Sequence, residues 1–344
     1  MRAIGYKTPG AIDDTNALSD IDLPIPVPTG RDLLVEIRAV SVNPVDTKIR
    51  ASATPEPGQW RVLGWDAAGI VKATGPEVQD FTVGDAVFYA GALQRPGTNA
   101  EFHLVDERLV GRKPETLDWA QAAALPLTAL TAWEMLFDRL EITRPVPGTQ
   151  PAVLIIGGAG GVGSIAIQLV RALTDVTVIA TASRPETREW VKELGAHHVI
   201  DHRQDLASQV AALPTGAPGF VFSTTQTAEH MADIVALVAP QGRFGLIDDP
   251  ATLDAAPLKR KSLSLHWEFM FTRSMFATAD IARQGHILNE VAALIDGGRL
   301  RTTLGAHFGP ITAANLRRAH ALIESGQACG KVVLEGFDLE SEAE

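Results

Sequence analysis

Glycines at three positions between an apolar run and an amphipathic stretch mark the most specific candidate site of the chain. Residues 153–156 have the pattern of a buried strand, and apolar residues recur at helical spacing from 162 to 173. The glycines between them fit G-x-G-x-x-G, which permits a tight turn, close approach of the backbone to a pyrophosphate, and packing of a helix on a strand. The helix that follows would direct its N-terminal amides at the phosphates. The predicted cofactor contacts of this dinucleotide site are Gly158, Gly160, Gly161, Val162 and Gly163.

The residues that follow the next strand-like run, at 176–181, indicate whether the cofactor is NAD(H) or NADP(H). NAD sites place an acidic residue there, which binds the ribose hydroxyls. This run ends without a carboxylate and reaches Ser183 and Arg184, whose guanidinium suits a 2′-phosphate. The sequence therefore predicts NADP(H), bound by Ser183 and Arg184, with His202 and Arg203 as further candidates for the same phosphate.

A structural alternative applies to the same residues. Ser183 and Glu186 match an S-x-x-E capping box, and Pro185 between them suits the first turn of a helix. Both roles can hold together, because Ser183 could cap the helix while Arg184 faces the phosphate.

Composition limits the classes of protein. A length of 344 residues favours two domains, and the 46% hydrophobic content is ordinary for a globular protein. A net charge of −11 disfavours nucleic acid or an anionic membrane as the main partner. Cys329 is the only cysteine, which excludes an internal disulfide framework and a multi-cysteine zinc site. With no apolar leader and no run long enough to span a bilayer, the sequence predicts a cytoplasmic protein.

The pattern of elements predicts two kinds of domain. The first third consists of short strand-like runs broken by proline and glycine. From about residue 117 the pattern predicts helices, at 119–125 and 130–140. After the glycines, strand-like and helical runs alternate, as in a parallel sheet covered by helices on both faces. The run at 331–334 is a short strand that could rejoin the first domain, and the acidic tail at 338–344 is expected to fray.

Several motifs in order along the chain resemble the medium-chain dehydrogenases/reductases, in particular their quinone-oxidoreductase-like branch. The resemblance implies an α/β protein with a Rossmann doubly wound parallel sheet at 127–267 and a GroES-like β-rich catalytic domain formed by 1–126 and 268–344. It also implies an active site in the cleft between these domains, and a homodimer joined near the strand at 263–269. Besides the glycines, the motifs are Ser41-Val42-Asn43-Pro44-Val45-Asp46, Leu63-Gly64-Trp65-Asp66-Ala67-Ala68-Gly69, Phe81-Thr82-Val83-Gly84-Asp85, Ala124-Leu125-Pro126-Leu127-Thr128-Ala129 and Gly330-Lys331-Val332-Val333-Leu334.

The sequence departs from the related zinc enzymes at each expected ligand. Asn43 stands where the resemblance places a cysteine, and Trp65 stands where it places the histidine of G-H-E. The third ligand is expected near residues 125–127, which contain neither Cys nor His. Zinc requires deprotonated sulfur, nitrogen or oxygen donors, so we predict that the chain holds no metal.

Hydride transfer without a Lewis acid requires a substrate that is already electrophilic, such as a quinone or an α,β-unsaturated carbonyl. Reduction of an alkene also requires a proton donor, and Lys48 stands where the resemblance places a proton-relay histidine or tyrosine. Asn43 could donate its amide to a substrate carbonyl or to the cofactor ribose, and Asp46 could orient Lys48. Two alternatives remain open: Lys48 could bind cofactor phosphate or face solvent, and the N-P-V-D sequence could simply build a turn.

The remaining candidates are further cofactor contacts and residues of a substrate pocket. Thr128 and Thr131 could contact the nicotinamide or its ribose, or cap a helix, and Lys331 belongs to the predicted cofactor contacts through the C-terminal motif. Aromatic residues that could shape an apolar substrate pocket are Trp60, Trp65, Tyr89, Trp267, Phe269 and Phe271.

The sequence thus predicts an NADPH-dependent, zinc-independent oxidoreductase that transfers hydride to a quinone or an α,β-unsaturated carbonyl. Its expected partner is a small electrophilic molecule, without nucleic acid or membrane. Two alternatives are a zinc-type alcohol or aldehyde dehydrogenase and a non-catalytic NADPH-binding protein.

Overall fold

A computed structural model of the chain describes residues 1–337, so the tail at 338–344 lies outside the described residues. The chain divides into two compact units. The first unit comprises residues 1–127 and the described residues from 271 onward, and the second unit comprises residues 128–270.

Sixteen strands occur among the described residues. They are β1 (Arg2–Tyr6), β2 (Ser19–Asp22), β3 (Asp32–Val42), β4 (Arg61–Val62), β5 (Asp66–Thr74), β6 (Ala86–Tyr89), β7 (Phe102–Asp106), β8 (Val110–Arg112), β9 (Ala152–Ile156), β10 (Thr177–Thr181), β11 (His198–Ile200), β12 (Phe220–Ser223), β13 (Arg243–Leu246), β14 (Ser264–Trp267), β15 (Leu304–His307) and β16 (Lys331–Glu335).

The helices lie mostly in the second half of the chain, and none within 1–337 is both long and apolar enough to cross a membrane. The α-helices are α1 (Pro44–Ser52), α2 (Trp119–Ala123), α3 (Pro126–Trp133), α4 (Gly161–Leu173), α5 (Pro185–Glu193), α6 (Leu206–Ala211), α7 (Thr227–Leu237), α8 (Thr272–Met275), α9 (Arg283–Asp296) and α10 (Ala313–Glu324). Two 3-10 helices occupy Glu107–Leu109 and Ala256–Lys261, and a π-helical turn occupies Glu134–Arg139.

The second unit contains a six-stranded sheet in the order β11-β10-β9-β12-β13-β14. Every neighbouring pair in it is parallel. The order reverses next to β9, which is the topological switch point at which doubly wound sheets bind ligands. Side chains from β9, β12 and the helices form its core, and Leu154 and Val221 in it are fully buried. The predicted doubly wound parallel sheet is confirmed.

The first unit is rich in β-structure, as predicted. A seven-stranded sheet has the order β15-β16-β3-β5-β6-β8, with β7 paired to β3, and a three-stranded sheet has the order β2-β1-β4. Strand β16 pairs antiparallel with β3, with Val332 opposite Val42. Both ends of the described chain therefore contribute to this unit.

The helix that begins the second unit changes its hydrogen bonding midway. The sequence predicts one helix over 130–140, but α3 passes into the π-helical turn, where the amide of Leu140 donates to the carbonyl of Met135 over 2.8 Å. Single π-helical turns inside helices are frequent at functional sites. The π-helical turn packs against β14, and Arg139 at its end donates to Glu268, the residue after that strand.

The predicted capping box at Ser183 is wrong. Helix α5 begins one residue later, with Arg184 as the N-cap and Pro185 in the first turn. The side chain that accepts a hydrogen bond from the N-cap amide belongs to Thr187 and not to Glu186 as predicted. Its hydroxyl oxygen accepts from the backbone amide of Arg184 at 3.2 Å. The Ser183 side chain is therefore not committed to capping this helix.

Candidate functional site

The glycine segment after β9 is held by contacts that only glycine permits. Gly157 has φ = 81°, in the left-handed region. A Cβ added to Gly163 would lie 2.3 Å from the carbonyl oxygen of Gly157, and one added to Gly158 would lie 2.9 Å from the Cβ of Ala180. These two glycines allow helix α4 and strand β10 to pack closely on the segment.

Gly160 differs from its neighbours because space remains beside it. A Cβ added there would meet only the carbonyl oxygen of Gly157, at an ordinary contact distance of 3.5 Å. Gly160 is the N-cap of α4, and its carbonyl accepts the first helical hydrogen bond, from Ser164, at 2.9 Å. The first amides of a helix have no intrahelical acceptor, so this end of α4 offers donors and open space to a pyrophosphate. The segment fits a dinucleotide.

Two arginines lie near Ser183, just after the end of β10. The guanidinium of Arg203 donates to the carbonyl oxygen of Ser183 at 3.0 Å and to the carboxylate of Asp201 at 2.7 Å. The Nε of Arg184 lies 3.0 Å from a carboxylate oxygen of Glu186, which is 65% exposed. Hydrogen bonds from Arg203 lower the pKa of Asp201 to about 2, so this carboxylate is ionised and already engaged. The structure thus places the Arg203 guanidinium on the carbonyl oxygen of Ser183, the residue before Arg184, and the contact of these residues with a phosphate stays a prediction.

His202 lies beside these arginines but faces another helix. Its ring makes an edge contact with His230 of α7, with ring centroids 6.5 Å apart. The Nδ1 atom is buried without a hydrogen-bond partner, and burial lowers the pKa of the ring. Its contact with the phosphate stays a prediction.

Thr128 and Thr131 are both buried near the start of the second unit. They lie within α3, at 3% and 5% exposure. Because α3 begins at Pro126, neither threonine is its N-cap, and the capping alternative is wrong. Their contact with the cofactor stays a prediction.

A buried polar network occupies the first unit where β3, β5 and β16 meet. The ammonium of Lys331 lies 3.1 Å from a carboxylate oxygen of Asp66, and these side chains are 3% and 0% exposed. The same ammonium donates to the carbonyl oxygen of Val42 at 3.1 Å and to the side-chain oxygen of Asn43. The Asn43 amide in turn donates to Asp66 at 2.8 Å. The carboxylate also accepts from the backbone amide of Leu127 at 2.7 Å.

Two side chains of this network, those of Asn43 and Lys331, were predicted to contact substrate or cofactor. Asn43 is 1% exposed, and both ends of its amide are engaged within the first unit. Lys331 is equally enclosed, with its ammonium shared among three oxygens. The predicted contacts of these residues with substrate and cofactor stay predictions.

Asp46 and Lys48 lie on different sides of α1. Asp46 is buried, and its carboxylate accepts from the backbone amide of Asn43 at 2.8 Å. Burial, and to a smaller extent the nearby Asp66, raise the pKa of Asp46 to about 7 against the lowering effects of the Asn43 amide and of Lys331. Lys48 is exposed, and residues two apart on a helix do not face each other. The structure does not bring Asp46 to Lys48 as predicted.

The aromatic residues predicted for a pocket separate into several environments. Trp65 is 2% exposed and contacts Phe271 edge to face, with centroids 6.0 Å apart. Tyr89 is fully buried, and its hydroxyl hydrogen-bonds His103 over 3.0 Å. Trp60 lies under the ammonium of Lys7. In the second unit, Trp267 and Phe269 are 51% and 47% exposed.

Zinc does not fit the donors present. Asn43 is engaged by Lys331 and Asp66, and Trp65 has an indole N–H, which donates rather than accepts. Leu125 and Leu127 are apolar. Across residues 1–337 no group of three or more His, Cys, Asp or Glu side chains is placed to hold a metal ion.

Asp66 is a site residue that sequence reasoning missed. It lies in a quoted motif, where it is the single charged residue of an apolar and glycine-rich run from 63 to 69. A buried carboxylate is almost always paired with a cation or a hydrogen-bond donor. An aspartate in such an apolar run therefore indicates a buried polar partner.

Two family models match the chain. The model of the alcohol dehydrogenase GroES-like domain matches residues 29–115, and the model of a zinc-binding dehydrogenase matches residues 194–334. The first match falls within the β-rich unit and confirms the predicted GroES-like domain.

Known proteins resemble the chain over nearly its whole length. A zinc-type alcohol dehydrogenase-like protein of Staphylococcus aureus strain COL is 39% identical over 339 residues, which cover 97% of this chain and 99% of the relative. An NADPH-dependent alkenal/one oxidoreductase of the Arabidopsis thaliana chloroplast is 29% identical over 352 residues, covering 97% of this chain and 79% of the relative. A crystal structure from Rhizobium etli CFN 42, of a protein provisionally named a zinc-dependent alcohol dehydrogenase, is 65% identical. It superposes with a TM-score of 0.97 and covers 98% of this chain and 99% of the other.

Proposed function

Because this chain belongs to the medium-chain dehydrogenase/reductase superfamily, we propose that it reduces quinones or α,β-unsaturated carbonyls with NADPH and without zinc. The observation that carries the proposal is the buried network at Asn43, Asp66 and Lys331. Asn43 stands where the resemblance places a zinc ligand, and both ends of its amide are engaged, by Asp66 and by Lys331, whose cationic side chain is no metal ligand. The Arabidopsis relative, named for NADPH and alkenals, supports the same class of substrate.

The chemistry follows from what the chain supplies. When bound, NADPH supplies the hydride. A conjugated carbonyl or a quinone accepts hydride without a metal because its own carbonyl delocalises the charge that develops. Reduction of an alkene is then completed by a proton, and Lys48, an exposed ammonium on α1, is the proposed donor.

The choice of NADPH over NADH depends on the residues that follow β10. The carboxylate that would bind the ribose hydroxyls of NAD is absent, and Arg184 and Arg203 flank Ser183 instead. A guanidinium forms charge-assisted hydrogen bonds with a 2′-phosphate.

Arg184→Ala should raise the Michaelis constant for NADPH about tenfold and leave that for NADH nearly unchanged. A hydrogen bond to a charged group contributes about 1.5 kcal/mol to binding, which corresponds to about tenfold in affinity. NADH has no 2′-phosphate, so it does not make this bond and its binding is unaffected. Steady-state kinetics with both dinucleotides measures this difference. Lys192→Ala, an exposed cation of the same helix paired with Glu189, is the control and should change neither constant. Equal effects of Arg184→Ala on NADPH and NADH would contradict the choice of NADPH.

The proposed function is tested with NADPH and three acceptors: a quinone, an enone and an unactivated aldehyde. The wild-type protein should oxidise NADPH with the first two and poorly with the third. Lys48→Met should depress turnover of the enone about 100-fold and that of the quinone much less, because quinone reduction can take protons from water. Lys72→Met, an exposed lysine of the same unit, is the control. An unchanged enone rate at several pH values would show that Lys48 is not the acid.

We also propose that two copies pair along β14. This strand ends the six-stranded sheet, and Trp267 at its end is 51% exposed. An open edge strand offers unpaired amides and carbonyls, and a two-fold axis lets two identical edges pair. A monomer in sedimentation experiments at micromolar concentration would contradict this assembly.

A further inference from the structure

A buried arginine of the first unit, Arg50, ties helix α1 to two distant parts of the chain. Its side chain is 1% exposed, although arginine is rarely buried unless it is paired. The Nη1 atom of its guanidinium donates to the carbonyl oxygen of Gly10 at 2.8 Å, and Nη2 donates to the carboxylate of Glu324, the last residue of α10. Arg50 therefore joins α1 both to the loop that follows β1 and to α10.

The charge of this guanidinium is compensated by Glu324. Within residues 1–337, no other carboxylate lies within ion-pair distance of Arg50. His320, one turn earlier on α10, is also buried, and burial together with Arg50 lowers the pKa of its ring to about 3. The ring is therefore neutral at neutral pH and adds no competing charge. Loss of Glu324 would leave a buried cation without its partner, so the pair links the two helices at a real energetic cost of separation.

Helix α10, which carries Glu324, is itself bound to the β-structure of the unit. It packs against β3 and β16. The backbone amide of Ala313, its first residue, donates to the carboxylate of Asp20 at 2.9 Å, and the side chain of Arg317 donates to the carbonyl oxygen of Leu18 at 2.7 Å. A side chain that binds Glu324 is thus bound to an element with several attachments of its own.

Helix α1 depends on such attachments because it is short. It has nine residues, and isolated helices shorter than about 12–15 residues are marginal in water. Tyr6 of β1 is fully buried, and its hydroxyl donates to the carbonyl oxygen of Ala53, directly after the helix, at 2.8 Å. Tyr6 therefore holds the end of the helix, whereas Arg50 projects from one side of it and resists rotation about the helix axis.

Lys48 lies on the opposite side of α1 from Arg50. Successive residues of an α-helix turn by about 100°, so residues two apart are separated by about 200°. Exposure agrees with this geometry, because Lys48 is exposed and Arg50 is buried. A helix with its side chains has a radius of about 5–6 Å, so rotation of α1 by about 20° would move a group at its surface by about 2 Å. A displacement of about 1 Å from the reacting geometry can lower a rate about 100-fold.

We propose that Arg50 is a positioning residue for enone reduction: bound to Glu324 and Gly10, it fixes the rotation of α1 and so the place from which Lys48 delivers a proton. This inference rests on the proposed function, in which Lys48 is the donor. After hydride addition, the enolate of the substrate takes a proton from the Lys48 ammonium, and the resulting amine regains a proton from water. Quinone reduction can take its protons from water and does not need this alignment.

The test compares kcat for an enone and for a quinone, at saturating NADPH, in the wild type, Arg50→Met, Lys48→Met and the double variant. Arg50→Met should lower kcat for the enone about tenfold and that for the quinone less than about twofold, with the Michaelis constant for NADPH unchanged. If Arg50 acts through Lys48, Arg50→Met should lower the enone rate less than about twofold further once Lys48 is methionine. A merely structural role would lower both rates in both backgrounds.

Variants of Glu324 keep the test decisive if Arg50→Met fails to fold. Glu324→Ala removes the same bond at a residue whose side chain is 34% exposed, and it should also lower the enone rate selectively. Glu324→Gln keeps an oxygen that accepts from the guanidinium and should restore most of the enone rate.

A matched control breaks a different ion pair of the same unit. Arg31 pairs with the buried carboxylate of Glu107 at 2.6 Å. Arg31→Met should lower the unfolding temperature without changing the ratio of the enone rate to the quinone rate, and thermal unfolding of every variant sets an assay temperature at which all are folded.

Three results would contradict the proposed role of Arg50. Equal losses with enone and quinone in Arg50→Met and Glu324→Ala, or a loss of about tenfold in Arg50→Met that persists in the Lys48→Met background, would overturn this inference alone. Unchanged enone turnover in Lys48→Met would overturn the assignment of the donor and this inference together. No oxidation of NADPH by the wild type with either acceptor would overturn the proposed function, and this inference with it.

Discussion

Replacing Gly160 with alanine is expected to weaken NADPH binding by about 10- to 100-fold while the fold remains intact. The added Cβ meets only one protein atom, at 3.5 Å, so nothing in the second unit has to move. The methyl group would instead stand where the pyrophosphate approaches the helix, and loss of one hydrogen bond to a charged group, about 1.5–3 kcal/mol, gives this change in affinity. Because alanine is a poorer N-cap than glycine, stability should fall by less than about 1 kcal/mol. Fluorescence titration with NADPH and thermal unfolding measure the two effects.

Gly163→Ala provides the contrast within the same motif. Its Cβ would lie 2.3 Å from a carbonyl oxygen of the backbone, so helix α4 must shift, and a loss of about 1–3 kcal/mol or more in the free energy of unfolding is expected. A Gly160→Ala protein that binds NADPH normally would show that the pyrophosphate does not lie beside Gly160. If Gly160→Ala instead lowers stability as much as Gly163→Ala, Gly160 has a packing role.

Lys331→Met should lower the free energy of unfolding by about 3–5 kcal/mol. The substitution leaves the buried carboxylate of Asp66 without its cation, and an unpaired buried charge costs this much. Chemical denaturation at neutral pH measures the effect.

The control for Lys331→Met is the double variant Lys331→Met with Asp66→Asn, which removes both charges of the pair. An asparagine has no charge to compensate, so the double variant should be more stable than Lys331→Met alone. Additive losses in the two single variants would mean that Lys331 and Asp66 do not stabilise one another.

The glycine segment could be predicted from the sequence because its determinants are local. A buried strand, an elbow and a helix are consecutive in the chain, and the close packing predicted for Gly163 is confirmed. The positive φ of the turn lies at Gly157, and Gly158 instead packs against Ala180. The parallel sheet followed from the alternation of strands and helices for the same reason. The error at the start of α5 was also local: Arg184 takes the N-cap position predicted for Ser183, and Thr187 takes the N3 position predicted for Glu186.

The buried clusters could not be predicted, because their partners are far apart in the chain. Lys331 meets Asn43 across 288 positions, and Arg139 meets Glu268 across 129. Periodicity predicts a helix over 130–140, and no spacing rule pairs Arg139 in it with a residue after another strand. Such pairs depend on the sheet order, which places strands together that are distant in sequence.

Hydride transfer from NADPH without zinc by this superfamily member is tested most directly by NADPH oxidation with protein that a chelator has freed of metal. Metal content is verified by mass spectrometry before the assay. We expect the metal-free protein to reduce an enone or a quinone at the rate of the untreated protein and to prefer NADPH to NADH. Activity that disappears on chelation and returns with stoichiometric zinc would contradict it.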